Sequence, residues 1–355
     1  MDIVELIFLK EIYTLILLLL SLMFFVSIRV YYDGDVKLTK IKNLLLLSFS
    51  LAIAIIFGFR DYNVGVDTNT YRYNFEYKFL PSNSFSSSKD FLWDFFNYAI
   101  SRVTDDVSIL FFIVALGYIF LPLLGVYKYL KQNTIFFFLL FLISPNFFLY
   151  GANGIRNGLA ASLVLFSLRY YKNYKQYLIL AAASLVHLSM LVPSLFFILS
   201  KYVKSITYPL LIWVILLLFA VLGVNLLALL PFSFERLDSF IMAAKGTDTL
   251  LNTITNFFVY STSPIILGIY VIYIKKIKDE LYLRLLITYI LASCVYIAAF
   301  NSSFSVRFAY LSEFLMPLLL TYPLLKFRLW KYVEIKLVLI ISIVFLIKSV
   351  KIFLS

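Results

Sequence analysis

Apolar residues in this chain come in long unbroken runs separated by short polar stretches. Eleven such runs can be read, at about 3–28, 43–59, 107–127, 134–150, 155–171, 176–199, 206–230, 254–274, 281–300, 305–325 and 335–353. A helix needs roughly 20 apolar residues to cross about 30 Å of hydrocarbon, and most of these runs approach that length. They are continuous rather than alternating, which argues against the strands of a β-barrel. The expected fold is an all-α polytopic membrane protein with residues 1–355 forming a single integral membrane domain. The first run has an acidic flank (Asp2, Glu5) and no small-residue cleavage site after it, so it reads as a span rather than a signal peptide.

Lys and Arg in the short polar stretches set the expected orientation. Arg29, Lys37, Lys40 and Lys42 follow the first run and place that loop in the cytoplasm, with the N-terminus outside. Lys128 and Lys131, and then Arg169, Lys172 and Lys175, fall on the same side. Two later clusters, Lys275, Lys276, Lys278 and Arg284, and Lys326, Arg328, Lys331 and Lys336, should join them. Strict alternation puts Lys201, Lys204 and the 275–278 cluster outside. The conflict disappears if 176–199 enters and leaves on the cytoplasmic side as a re-entrant helical pair, broken near Pro193 or the small run Ala181–Ser184. A misplaced boundary elsewhere accounts for the same conflict. The re-entrant reading gives about ten full spans plus one broken hairpin, both termini outside, with outer loops at 60–106 and 231–253.

Composition narrows the class further. Of 355 residues, 63% are hydrophobic and 14% charged, with mean hydropathy +0.94. A soluble domain is nearer half apolar and a quarter charged. The net charge of +12 resides mostly in the cytoplasmic loops, so it needs no nucleic acid as partner. One cysteine, Cys294, excludes an internal disulfide and a Cys-based metal site; one histidine, His187, excludes a multi-His metal site. No Walker loop, HExxH, GxSxG or DDxxD motif is present, and no cofactor is implied.

The candidate chemistry collects on the expected outer side. The first outer loop opens with FRDYNVGVDTNTYRYNFEYKF, dense in Arg60, Asp61, Asp67, Tyr71 and Arg72, with Gly65 suited to a turn. Such a mixture fits a sugar- or phosphate-binding surface and equally an interfacial loop with an aromatic belt. Residues 90–103, DFLWDFFNYAISRV, carry Phe91, Leu92, Phe95, Phe96 and Ala99 at helical spacing, as an anchoring interfacial helix would. In GANGIRNGLAASL at 151–163, Asn153 and Arg156 sit at the start of a helix. A cation there opposes the helix dipole, and either an anionic ligand or snorkelling explains it. His187, about 16 Å along its segment, is either a base facing a cavity or a histidine bonded to a neighbouring helix. Arg307 and Tyr310 share a helix face, and Glu313 lies three residues further, inside a span. A cavity or an Arg–Glu ion pair fits that set. Arg60, Arg156, Arg236 and Arg307 fall on the outer side in four separate segments. Guanidinium forks match phosphate oxygens bidentately, so a lipid-linked pyrophosphate suits them.

The segments FRDYNVGVDTNTYRY (59–73), GIRNGLAASLVLFSLRYY (154–171), LVHLSMLVP (185–193) and SVRFAY (305–310) occur in an order that resembles the EpsG/Wzy family of polysaccharide polymerases. The resemblance covers about residues 55–315. Members commonly have Gln where this chain has Asn157, and Thr near the position of Val66. The resemblance implies a GT-C-like polymerase/ligase architecture and a metal-independent glycosyltransferase. Its donor and acceptor would be undecaprenyl-diphosphate-linked oligosaccharides. It would act in a bacterial plasma (inner) membrane, with the active site outside, membrane lipids around it and a separate chain-length co-polymerase as partner. In that frame Arg156 and Arg307 would grip the donor pyrophosphate. Arg60, Asp61, Asp67, Tyr71, Asn153, Arg236 and Tyr310 would line the sugar and head-group sites. His187 would be the base, with Asp67 or Glu313 as substitutes. Three other functions remain open: an O-antigen ligase, a flippase for lipid-linked oligosaccharides and a membrane O-acyltransferase.

Overall fold

The computed structural model describes residues 3–33, 36–79, 84–87, 89–224, 261–300 and 305–354, and every regular element among them is helical. Arg236 and the expected outer loop 231–253 lie outside the described residues, as do parts of the runs at 206–230 and 254–274. Among the described residues, five stretches are long and apolar enough to cross a membrane: Val4–Arg29, Leu38–Gly58, Val107–Ile143, Glu280–Ala298 and Arg307–Lys326. Shorter apolar helices occupy Leu188–Tyr202, Thr207–Val221 and Ser263–Ile274. The chain divides into two compact units, residues 1–191 with 324–355, and residues 192–323.

The first unit is built on α1 (Ile3–Asp33), α2 (Val36–Gly58), α5 (Val107–Leu130) and α6 (Thr134–Ile143). α1 is apolar around most of its circumference, yet Phe8, Ile12, Tyr13, Ile16, Leu19, Leu20, Met23 and Ser27 form its buried stripe, while Leu17, Leu18, Leu22 and Phe25 face outward. The 3.6-residue period thus emerges from packing rather than from polarity. All ten residues of α6 are buried. α1, α2, α5 and α15 (Val333–Leu354) pack around it. α6 stops short of a full span because Pro145 forces Ser144 into an extended conformation, ψ 150°. The carbonyls freed at its end accept hydrogen bonds from Lys348 Nζ of α15, Ile143 O at 3.2 Å and Ser144 O at 3.1 Å. Backbone groups away from water need such partners.

α7 (Ile155–Ser167) and α8 (Tyr174–Val186) form an antiparallel hairpin of two 13-residue helices, joined by a turn in which Lys172 has φ 68°. At 1.5 Å per residue each is about 20 Å long, shorter than a full crossing. α7 lies against α5 at glycine-permitted distances. A Cβ on Gly125 would meet the Leu165 carbonyl, and one on Gly158 would meet the Tyr150 carbonyl and the Tyr118 ring. Close backbone approach through small residues is a common way for helices to associate in lipid. α8 ends at His187, whose backbone is extended (φ −152°, ψ 118°), before a 3₁₀ turn and α9 (Leu191–Leu199). The helical interruption within 176–199 falls at His187, between Ala181–Ser184 and Pro193.

Between α2 and α5 lie the short α3 (Thr68–Tyr73), a π turn (Asn74–Lys78) and α4 (Phe91–Ser101). A cluster of Tyr71, Phe75, Trp93, Val107, Leu110, Phe111, Val114 and Ile155 holds them over the ends of α5 and α7. α4 is amphipathic in the opposite sense to a soluble helix. Trp93, Asp94, Asn97 and Ser101 are buried, while Phe91 and Phe95 are 46% and 49% exposed. Its polar stripe faces protein and its aromatic stripe faces out, an orientation suited to lipid.

In the second unit α12 (Glu280–Ala298) is the core helix, packed by α10 (Thr207–Val221), α11 (Ser263–Ile269) and α13 (Ser305–Glu313). α14 (Met316–Lys326) follows after a turn. Trp213 Nε1 donates to Ser293 Oγ at 3.0 Å. Arg284, expected in a solvated basic cluster, is 6% exposed and donates to Phe197 O at 2.8 Å and Ser200 Oγ at 3.2 Å. It caps the end of α9, where a cation also meets the helix dipole favourably.

Candidate functional site

The α7–α8 hairpin decides where the site is. Two antiparallel helices of equal length bring the first residues of one level with the last residues of the other. Arg156 opens α7 and His187 follows α8, so both stand at the open end, about 20 Å from the basic turn at 169–175. α4 packs across α8 and carries Asp90 to the same end.

Asp90 is the residue that joins them. It occupies the N-cap position of α4 but makes no capping hydrogen bond. Its Oδ2 instead lies 2.8 Å from Arg156 Nη1 and 3.2 Å from His187 Nδ1, and its Oδ1 accepts from the Leu188 backbone N–H at 2.9 Å. The carboxylate is 8% exposed, the Arg156 and His187 side chains 33% and 23%. Burial pushes the Asp90 carboxyl up, but the His187 ring, the Leu188 amide and the Arg156 charge outweigh it and hold the carboxyl below its ordinary range. An ionised carboxylate only accepts hydrogen bonds, so the His187 Nδ1 facing it carries the proton. In the neutral ring Nε2 is then the basic nitrogen. A second contact, Ser189 Oγ to Asn157 Oδ1 at 3.4 Å, ties the turn after His187 to α7.

Arg60, Asn153 and Tyr71 build the adjoining wall. Arg60 is 6% exposed, donates to Phe57 O at 2.6 Å and Ala152 O at 2.8 Å, and lies 4.5 Å from the Phe111 ring centroid. Burial lowers its pKa to about 10, with Tyr71 opposing the shift, so it stays cationic near neutrality. Arg60 is thus a strut between the end of α2 and the 149–153 turn. The Asp67 backbone N–H donates to Asn153 Oδ1 at 2.6 Å, which pins the 61–67 loop. Gly65 sits at φ +89° against Ala152 and Asn153, a conformation and a contact that disfavour a side chain. The Tyr71 hydroxyl lies close enough to the start of α7 for the Arg156 backbone N–H and charge to act on it. Burial pushes the Tyr71 phenol up to about 12, partly offset by the Arg156 charge, so it remains a neutral hydroxyl.

Arg60, Tyr71, Asn153, Arg156 and His187 are therefore brought together, with Asp67 joined through its main chain and its side chain exposed. Asp61 stays within its own loop, accepting from the Asn63 N–H at 2.9 Å. Tyr310 and Glu313 belong to the second unit and are 3% and 7% exposed. Glu313 lies close enough to Tyr289 and Tyr296 of α12 for its charge to act on both. Arg307, on the same helix, is exposed. Asp90 is the residue that sequence reasoning missed. Its signal was an Asp at a helix start followed by Asp94, Asn97 and Ser101, a polar stripe at helical spacing within an aromatic helix.

The EpsG family model matches residues 43–355. The match takes in all the elements that carry Arg60, Asp90, Arg156 and His187. No curated protein and no solved structure matches the chain.

Proposed function

The chain belongs to the EpsG family, and from that premise we propose that it is a polysaccharide polymerase of the plasma membrane. It joins undecaprenyl-diphosphate-linked repeat units on the extracytoplasmic face, without a metal ion. The observation that carries the reading is the Asp90 carboxylate between Arg156 and His187. It supplies a base and a phosphate-seeking cation at one end of one helical hairpin.

Asp90 holds the His187 ring with Nδ1–H toward itself and directs Nε2 at the acceptor sugar's hydroxyl. That hydroxyl oxygen forms a bond to the anomeric carbon of the donor chain while the bond from that carbon to the lipid diphosphate breaks. The hydroxyl proton passes to His187 Nε2. The leaving diphosphate gains negative charge, which Arg156 stabilises through the N–H groups of its fork that point away from Asp90. Arg60, Asn153 and Tyr71 act as positioning residues for the 61–67 loop and the start of α7. Asp61 and Asp67 offer exposed carboxylates to sugar hydroxyls. Arg307, Tyr310, Glu313 and Arg236 keep the roles expected of them from the sequence. These are a phosphate grip for Arg307, a sugar or head-group contact for Arg236 and Tyr310, and an alternative base for Glu313. The Lys/Arg bias of the hairpin's basic turn favours a cytoplasmic side for it, which supports an outward-facing opposite end with Arg156 and His187.

Deletion of the gene followed by gel analysis of surface glycans tests the assignment. Capped single repeats in place of polymer are the expected result. An absence of exported repeats would assign a flippase instead, and full-length polymer lacking only acyl groups an acyltransferase.

A further inference from the structure

At the other end of the first unit, the loop between α14 and α15 opens onto a cavity of about 590 Å³. Its lining comes from the end of α1 (Ser27), the α5–α6 turn (Asn133) and the loop itself (Arg328, Trp330, Lys331, Tyr332). Pockets that hold small ligands typically run from about 300 to 1,000 Å³, so the size is in range. α2 and α5 both run between this end and the Arg156 site, and at 23 and 24 residues each spans about 35 Å. The cavity is therefore separate from the site described above.

Three observations give it the character of an anion site. The one lining carboxylate among the described residues, Glu334, is held 2.6 Å from Lys42 Nζ, a buried lysine of α2, so the charges of Arg328 and Lys331 are not offset by it. The backbone is left-handed at Arg328 (φ 46°) and at Tyr332 (φ 58°), which L residues with bulky side chains adopt only when the surroundings enforce it. That geometry lets the six residues 327–332 turn between the two helices and present Arg328, Trp330 and Lys331 around one opening. Finally, Ser27 is 2% exposed, and its hydroxyl has no hydrogen-bond partner among the described residues. A buried hydroxyl without a partner is costly unless something in the cavity satisfies it.

We propose that this cavity is a second binding site, one that takes a phosphate-bearing anion. Arg328 and Lys331 supply the charge, Ser27 and Asn133 the neutral hydrogen bonds, and Trp330 a ring face for the rest of the ligand. A phospholipid head group and a soluble nucleotide share that chemistry. By the Lys/Arg bias the opening faces the cytoplasm, where both occur. The site gives a polymerase working outside a point at which the inside can act on it.

Tryptophan fluorescence of the purified full-length chain in detergent tests this. Dioctanoyl phosphatidylglycerol and uridine diphosphate are titrated separately, with dioctanoylglycerol as the phosphate-free control. At least one phosphate probe should give a saturable change that Trp330→Phe removes and Arg156→Ala leaves intact. Arg328→Gln with Lys331→Gln should weaken it by about tenfold or more. Both side chains are exposed, so the double variant should fold; Lys331→Glu alone replaces it if it does not. A response to the lipid alone assigns the head group, and a response to the nucleotide alone assigns the soluble ligand. The proposal is overturned if neither probe gives a Trp330-dependent change, if dioctanoylglycerol acts as well as the phospholipid, or if the charge variants bind like the wild type. Because Arg156 plays no part in this site, none of these outcomes bears on the polymerase assignment.

Discussion

Replacing Asp90 by Asn separates a catalytic role for its charge from a purely structural one. The amide keeps the volume and leaves an oxygen to accept from the Leu188 N–H, a 2.9 Å bond in the wild type. What it loses is the negative charge 2.8 Å from Arg156 Nη1 and 3.2 Å from His187 Nδ1. Two charge-assisted contacts would be worth several kcal/mol if fully buried. Arg156 is 33% exposed, and water screens part of that. The expected loss of stability is about 1–3 kcal/mol. The loss of rate should be much larger in effect, roughly 10²- to 10⁴-fold, because the ring is no longer held with its basic nitrogen toward the acceptor. Polymer length is read from gels of surface glycan, protein level by blotting and stability from the unfolding midpoint in detergent. Combining Asp90→Asn with His187→Gln should cost little more than His187→Gln alone, since the two act as a unit. Wild-type polymerisation by Asp90→Asn, or a double variant whose losses simply multiply, would refute the reasoning.

Three further outcomes follow from the same geometry. The folded Asp90 carboxyl is held below its ordinary pKa, so its contribution to stability is complete above the unfolded value of about 4 and is lost as pH falls through the folded one. The difference in unfolding midpoint between the wild type and Asp90→Asn should shrink as the pH falls below about 4; a difference that grows below that pH has the wrong sign. Gly158→Ala places a methyl group against the Tyr150 carbonyl and the Tyr118 ring. It should cost about 1–3 kcal/mol, visible as a lower unfolding midpoint. Asn153→Ala removes the acceptor for the Asp67 N–H and should raise the apparent KM about 3- to 10-fold with kcat nearly unchanged, as expected of a residue that positions a loop.

The helical class was legible because lipid demands long apolar runs, and this chain has them. Helix lengths were less so, because apolar composition does not mark where a helix stops. The run 134–150 hides the Pro145 break that ends α6 at Ile143. The run 176–199 hides the extended backbone of His187. Uniform apolarity likewise conceals which face of α1 is buried. Arg156 and His187 stood out because polar side chains are rare in such segments, and the hairpin that unites them follows from two helices of equal length. Arg60 was read as a ligand contact from its neighbours in sequence, whereas its partners, Phe57 O and Ala152 O, are main-chain groups that no motif reveals. Asp90 was hidden in a helix whose phenylalanines suggested only an anchor, because the polar stripe between them points inward.

The most direct test of the central claim uses purified protein in liposomes supplied with undecaprenyl-diphosphate-linked repeat units. The wild type should build a ladder of glycans and free one undecaprenyl diphosphate for each linkage made. Arg156→Ala, folded and at equal amount, should yield neither product, since the developing diphosphate charge goes unmatched. A ladder from Arg156→Ala as long and as fast as that of the wild type would contradict the account.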